Sequence, residues 1–323
     1  MKAIVYTEYG SPDVLKFAEI PKPTAKDNEV LIKVRSASVN PIDWHFMRGS
    51  PYFIRIMTGL GKPKVQQLGS DVAGEVEAVG RNVTLFKPGD AVFGTCRGSL
   101  AEYVCAREST VFRKMPNTSF EQAASVGVAG YTALQGLRDK GHIQAGQNVL
   151  INGASGGVGT FAVQLAKWFG TEVTGVCSTR NVDRVRSIGA DLVIDHTRED
   201  FSKSEKRYDL ILDCYWDHPL SACRRVLKPK GNYIIVGGPS DQPFSRLLFR
   251  LVRAVISSMV LSRKFVMFVA KSSVTDLQMI GELIESGKVK PVIDRYYSLS
   301  EVPEAIRYLE EGHARGKVVI TIA

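Results

Sequence analysis

Short apolar–polar alternations fill roughly the first 120 residues. In EVLIKVR (29–35), Val30, Ile32 and Val34 alternate with Leu31, Lys33 and Arg35. In DVAGEVEAVG (71–80), small or apolar residues alternate with Glu75 and Glu77 until Gly80 stops the run. FKPGDAVFG (86–94) sets Pro88-Gly89 at a tight turn before another strand. The pattern predicts a β-rich, barrel-like domain. From about residue 123 the period changes. NVLIN (148–152) reads as a buried strand, and Val158, Phe161, Ala162, Leu165, Ala166 and Phe169 then recur at helical spacing. Further strands are predicted at EVTGVC (172–177), DLVID (191–195), YDLILD (208–213) and NYIIVGG (232–238), most of them separated by helical stretches. Such alternation implies α/β architecture, a parallel sheet with helices on both faces. After about residue 263 the pattern is mixed. SLSEVPEAIRYLEE (298–311) predicts a helix capped by Ser300, with Val302, Ala305, Ile306 and Leu309 on one face, and GKVVITIA predicts a closing strand.

Composition narrows the class without naming a chemistry. With 323 residues, 44% hydrophobic and 23% charged, the chain is sized for two soluble domains. Cys96, Cys105, Cys177, Cys214 and Cys223 are an odd, scattered set with no CxxC pair. That argues against a disulfide framework or a zinc knuckle and suits a reducing cytoplasm. The opening MKAIVYTEYG lacks a charged region followed by an apolar one, so no secretory signal is expected. The formal charge is +9, from 42 basic and 33 acidic side chains. A basic excess can serve nucleic acid, a membrane surface or a polyanionic cofactor; no basic run with interleaved aromatics accompanies it, which argues against nucleic acid.

Gly153-x-x-Gly156-x-x-Gly159 follows a strand and opens a helix. Residues without a Cβ let backbone N–H groups approach a pyrophosphate at the positive end of the helix dipole. Ser155, Gly156, Gly157 and Val158 are therefore candidate cofactor contacts. A fold that selects NAD carries Asp or Glu about twenty residues further on, to bind the ribose 2′-hydroxyl. Here that place holds Ser178, Thr179 and Arg180. Two hydroxyls and a guanidinium suit a 2′-phosphate, which points to NADP(H).

GQNVLINGASGGVGTFAVQLAK (146–167), VNPIDW (39–44), DVAGEVEAVG, FKPGDAVFG and HARGKVVIT (313–321) together resemble the medium-chain dehydrogenase/reductase superfamily, in its zinc-independent quinone oxidoreductase-like branch. The resemblance implies a GroES-like catalytic domain from residues 1–122 and 263–323 around a Rossmann NADP(H)-binding domain at 123–262, with the active site in the cleft between them. It also implies a homodimer. Zinc-dependent members hold catalytic zinc with two Cys and one His. Those three positions fall here at Asn40, Ser70 and near Ser125, and the four-Cys structural zinc lobe has no counterpart. No zinc is expected. Oxidising an alcohol needs a group to stabilise an alkoxide, commonly zinc. Hydride delivery from NADPH to a quinone or to the C=C of an α,β-unsaturated carbonyl is easier, because the charge delocalises into a quinol or enolate.

The resemblance assigns roles residue by residue. Asn40 is the candidate catalytic donor to the substrate oxygen, with a brace for the loop before Pro41 as its alternative. His45 and Tyr52 are candidate substrate contacts, His45 either as proton donor or as bystander. Thr132, Gly237 and Gly238 are implied nicotinamide contacts, His196 an adenosine phosphate contact, and Lys317 a basic residue reaching back to the cofactor. Relatives carry a small turn after strand 208–213, where this chain has Cys214, Tyr215 and Trp216, which either narrow the cofactor edge or stack on it. Two rivals are weighed. A short-chain reductase would need Tyr-x-x-x-Lys, and no tyrosine here has lysine four residues later. An NADPH-retaining, membrane-surface protein with little turnover would rest on 244–270, where Arg246, Arg250 and Arg253 share one helical face. That segment reads more simply as a helix at a domain or subunit interface.

Overall fold

The structure, a computed structural model, describes residues 1–216, 218–237 and 264–322. Gly238 and the arginine-bearing stretch 244–262 lie outside the described residues. Among the described residues no helix is long and apolar enough to cross a membrane. The chain forms two compact units, one from Met1–Ala129 with Ser272–Ala323 and one from Gly130–Lys271.

The first unit begins with strands β1 (Lys2–Val5), β2 (Lys16–Glu19), β3 (Glu29–Val39), β4 (Asp71–Val79), β5 (Ala91–Thr95), β6 (Tyr103–Arg107) and β7 (Val111–Arg113). The second unit carries β8 (Asn148–Asn152), β9 (Glu172–Cys177), β10 (Leu192–Asp195), β11 (Tyr208–Asp213), β12 (Leu227–Ile235) and β13 (Lys264–Met267). The chain then returns to the first unit with β14 (Ile293–Ser298) and β15 (Lys317–Thr321). The helices that matter below are α1 (Pro41–Arg48), α2 (Gly127–Gln135), α3 (Gly157–Trp168) and α4 (Val302–Glu310).

In the first unit the sheet order is β14-β15-β3-β4-β5-β7, with β6 also pairing β3. The long β3 is the organising strand. It runs antiparallel to β4, from Val30 opposite Val79 to Ser38 opposite Asp71, and antiparallel to β15, with Val39 opposite Val318. Val30, Ile32, Val34, Val72, Val76, Val92, Val318 and Ile320 fill one core. Each such side chain taken fully out of water contributes about 1.5–3 kcal/mol. Val302, Ala305 and Ile306 of α4 close over the same core. This helix is entered earlier than Ser300: Ser298 forms a capping box with Glu301, so a 3₁₀ turn at Leu299–Glu301 precedes the α-helix.

The second unit is a six-stranded parallel sheet in the order β10-β9-β8-β11-β12-β13. The order reverses between β8 and β11, which makes their carboxyl ends the topological switch point, the place where open α/β sheets bind ligands. Strand β13 pairs with β12 (Tyr233 opposite Phe265), which draws residues 264–271 into this unit rather than the first. The chain divides at 129/130 and 271/272, where the sequence suggests 122/123 and 262/263. Helix α3 is buried from Gly159 to Ala166, on all sides rather than along one face. Its polar members are satisfied within the helix: the Thr160 hydroxyl donates to Gly157 O at 3.1 Å and Gln164 Nε2 to Thr160 O at 2.9 Å.

Candidate active site

The register of the first sheet assembles a buried polar cluster. Ser38 stands at the end of β3, Asn40 precedes α1, Asp43 lies in the first turn of α1, Asp71 opens β4 and Lys317 opens β15. Asn40, Asp43, Asp71 and Lys317 are all 3% exposed or less. Asp71 Oδ2 accepts from the Ser38 hydroxyl (2.7 Å), Asn40 Nδ2 (2.9 Å) and Lys317 Nζ (3.1 Å), while its Oδ1 accepts from the Val128 N–H (2.7 Å). Lys317 Nζ also donates to Asn40 Oδ1 at 2.5 Å. One ammonium and one carboxylate are thus paired out of water, with further hydrogen bonds to the lone pairs, which is what a buried ion pair requires.

Asp43 is the second carboxyl of the cluster and has no cation of its own. Its Oδ2 accepts from the Asn40 N–H at 2.7 Å and its Oδ1 from the Ser70 hydroxyl at 2.9 Å. Burial pushes its pKa up to about 7, and the nearby Asp71 adds to the rise. The Asn40 N–H, Ser70 and Lys317 hold it from going higher. A carboxyl that titrates near neutrality is unusual and marks this cluster as a candidate site. The sequence passes over Asp43 and Asp71 although both lie in stretches it singles out, because only strand pairing brings them together.

Several expected contacts take different roles in the structure. Asn40 directs its amide hydrogens to Asp71 and, at 3.4 Å, to Ser38 O, which ties it into the cluster. Lys317 points its ammonium into the cluster and is only 3% exposed. That commitment accounts for its charge. His45 stacks on Trp44 with ring centres 3.7 Å apart, and its Nδ1 lies 2.7 Å from Ser50 O. A carbonyl only accepts, so Nδ1 carries the proton and Nε2 of the neutral ring is an acceptor. Burial lowers the His45 pKa below its ordinary value, which keeps the ring neutral near pH 7 with no Nε2 proton to give. Tyr52 is 63% exposed, its ring under the Arg55 guanidinium at 5.2 Å.

The residues at the three zinc-ligand positions do not fit a zinc ion. Asn40 and Ser70 are bound into the cluster, and the Ser125 hydroxyl donates to Gln122 O at 2.6 Å. Amide and hydroxyl groups so engaged are not the Cys₂His donor set of a catalytic zinc site. Among the described residues no group of three or more His, Cys, Asp or Glu is placed to hold a metal.

In the second unit the glycine turn has the shape a pyrophosphate needs. Gly153 has φ +80°, and its N–H and that of Ala154 both donate to Val176 O, tying the turn to β9. A Cβ on Gly159 would sit 2.1 Å from Gly153 O, so only glycine lets α3 start this close under the turn. Gly156 is the N-cap and offers no side chain to cap the helix; a Cβ there would meet only Gly153 O, at 3.5 Å. The uncapped first turn, with Gly157 and Val158 as its first two residues, therefore faces space that an anion can occupy. Buried Asn181 links this turn to the end of β9, its Nδ2 reaching Ser155 Oγ at 3.1 Å and Ser178 Oγ at 3.2 Å. Sequence pattern gives no signal for Asn181, which looks like an ordinary residue of a helix start.

Across the switch point Asn152 Nδ2 donates to buried Asp213 Oδ1 at 2.8 Å. The same oxygen accepts the N–H groups of Tyr215 (2.9 Å) and Trp216 (2.7 Å), and the Tyr233 hydroxyl donates to Oδ2. This turn carries the two bulky residues. Trp216, at φ +50°, is fully buried, whereas Tyr215 is 53% exposed beside it. Gly237 passes so close to Cys214 that a Cβ would lie 2.3 Å from its carbonyl oxygen. Thr132 is buried in α2, and His196 is exposed with its N–H on Cys177 O at 3.0 Å. Just past the carboxyl end of β9 the hydroxyl of Thr179 donates to Asp195 Oδ2 at 2.6 Å, and Arg180 is exposed. A carboxylate therefore does stand beside Ser178 and Thr179, contributed by the next strand.

A parallel sheet with an uncapped glycine turn at its switch point, in one chain with a mainly antiparallel sheet, defines a two-domain dinucleotide-dependent dehydrogenase or reductase. Residues 26–117 match the family described as "Alcohol dehydrogenase GroES-like domain" and residues 188–320 the family described as "Zinc-binding dehydrogenase". The chain belongs to the medium-chain dehydrogenase/reductase superfamily. Within it, the chain belongs to the quinone oxidoreductase-like branch. It is 36% identical to the 2-methylene-furan-3-one reductase of Solanum lycopersicum, over 99% of this chain and 79% of that protein. It is 35% identical to the NADPH-dependent alkenal/one oxidoreductase, chloroplastic, of Arabidopsis thaliana, again over 99% and 79%. The solved structure of the quinone oxidoreductase from Coxiella burnetii is 33% identical, with a TM-score of 0.88 over 100% of this chain and 99% of that one.

Proposed function

We propose that this chain is a zinc-independent, NADPH-dependent oxidoreductase that delivers hydride to a quinone or to the C=C of an α,β-unsaturated carbonyl. The names of its relatives support an NADPH-linked reductase of such acceptors. The observation that carries the reading is the occupation of two metal-ligand positions by hydrogen-bonded Asn40 and Ser70, with hydrogen-bonded Ser125 near the third. A site without a Lewis acid favours acceptors whose charge spreads over a conjugated system. Bound NADPH supplies the hydride from C4 of its nicotinamide. The chain's own part is to hold the pyrophosphate on the N–H groups at Gly157 and Val158, beyond the Gly156 N–H that closes the turn onto Gly153 O, and to hold the adenosine end beside Ser178 and Arg180. Reduction of an enone with NADPH deuterated at both C4 positions tests the reading. Deuterium is expected on the β-carbon of a saturated ketone. Deuterium on the carbinol carbon of an allylic alcohol would contradict it.

A further inference from the structure

Strands β9 and β10 run parallel with Cys177 opposite Asp195, so Asp195 reaches the same sheet edge as Ser178 and Thr179. Its two carboxylate oxygens have separate partners. Oδ1 accepts the Thr197 N–H at 3.0 Å and the Thr197 hydroxyl at 2.8 Å. Oδ2 accepts the Thr179 hydroxyl at 2.6 Å, with Arg198 Nε at 3.5 Å. The Thr179 and Thr197 hydroxyl oxygens are themselves 2.8 Å apart.

Two hydroxyls bring two protons. Either both go directly to the carboxylate, or one hydroxyl donates to the other and that one donates to the carboxylate. Each of these arrangements consumes both protons, and Thr179 is then left with lone pairs to offer a ligand. Lone pairs suit a ribose 2′-hydroxyl, which can donate; they do not suit a 2′-phosphate dianion, which only accepts. The carboxylate charge acts in the same direction. Asp195 stays ionised at neutral pH, because the Thr179 hydroxyl first, then Thr197 and Arg198, hold its pKa below the ordinary value.

We propose that Asp195 is a specificity-determining residue that holds the preference for NADPH over NADH below what Ser178, Thr179 and Arg180 would otherwise set. The inference rests on the reading of the second unit as an NADP(H) site. In Asp195→Asn the retained Oδ1 keeps the Thr197 contacts. The new Nδ2 faces Thr179 and donates to its oxygen, which turns the Thr179 proton toward a ligand and removes the charge. Asp195→Ala removes the charge without reorienting the hydroxyl.

Equilibrium dissociation constants for NADPH and NADH, measured by fluorescence titration on the full chain, test this. The ratio of the NADH to the NADPH constant is expected to rise by about threefold to tenfold in Asp195→Asn and by less in Asp195→Ala, with the effect shrinking at high salt. Adding Thr179→Val to Asp195→Asn is expected to return the ratio to the Asp195→Ala level. A ratio unchanged in whichever of the two single variants folds would overturn the inference alone. Failure of the wild-type chain to bind either coenzyme would overturn the proposed function with it.

Discussion

Asp43 is a carboxyl placed where ionising is costly, and that placement has a consequence for stability. An acid whose pKa rises on folding binds its proton more tightly in the native state, so stability falls as pH rises through the interval between the two pKa values. The unfolded value is about 3.9, and the folded value is raised to about 7 by burial, with Asp71 adding to it. The contribution is complete below the unfolded value, shrinks by about 1.4 kcal/mol per pH unit across the interval, and is gone above the folded value. In Asp43→Asn this slope is absent. The destabilisation caused by that substitution is therefore expected to be about 2 kcal/mol smaller at pH 8 than at pH 5.5, measured by urea unfolding. A difference that does not change with pH would mean that Asp43 titrates in the ordinary carboxylate range. The pair Lys317–Asp71 sets the background for this behaviour: it is charged, buried and internally satisfied, and it leaves Asp43 with neutral donors only.

At the scale of elements, the glycine turn separates two demands that a single motif usually conflates. Gly159 is required by packing, since its Cβ would lie 2.1 Å from Gly153 O; Gly156 is left open, with 3.5 Å to the same atom. Gly159→Ala is expected to lower stability by about 1–3 kcal/mol in thermal or urea unfolding. Gly156→Ala is expected to change stability by less than about 1 kcal/mol, yet to weaken NADPH by about tenfold, because a methyl group there intrudes on the anion site at the helix N-terminus. Equal stability losses in the two variants would sink the distinction. The turn and its flanking strands are legible in the sequence because buried parallel strands read as apolar runs of fixed length: 148–152, 172–177 and 208–213 match the observed bounds. What depends on pairing between strands is not legible. Asp195 lies beside Thr179 through the β9–β10 register, and Asn40, Asp71 and Lys317 meet through β3, β4 and β15. A search along the chain for an acid some twenty residues past the glycines therefore finds none, although the fold supplies one from the neighbouring strand. Likewise β13 is too short to announce which sheet it joins, and the capping box forms at Ser298 rather than Ser300 because Glu301 completes it from there, so a 3₁₀ turn precedes α4.

At the scale of the molecule, one chain combines the parallel sheet and glycine turn of the second unit with a first unit that offers an amide and two hydroxyls, from Asn40, Ser70 and Ser125, at or near the metal-ligand positions. The basic excess of nine charges is in keeping with attraction of a polyanionic coenzyme. The proposed chemistry runs on NADPH and a conjugated acceptor without a metal. The most direct measurement is NADPH oxidation by chelator-treated protein against a naphthoquinone, an alkenal, an enone and a simple aldehyde. Turnover of the quinone or of the conjugated carbonyls, at the same rate with and without chelator, is the predicted result. Turnover of the simple aldehyde that chelator abolishes would contradict it.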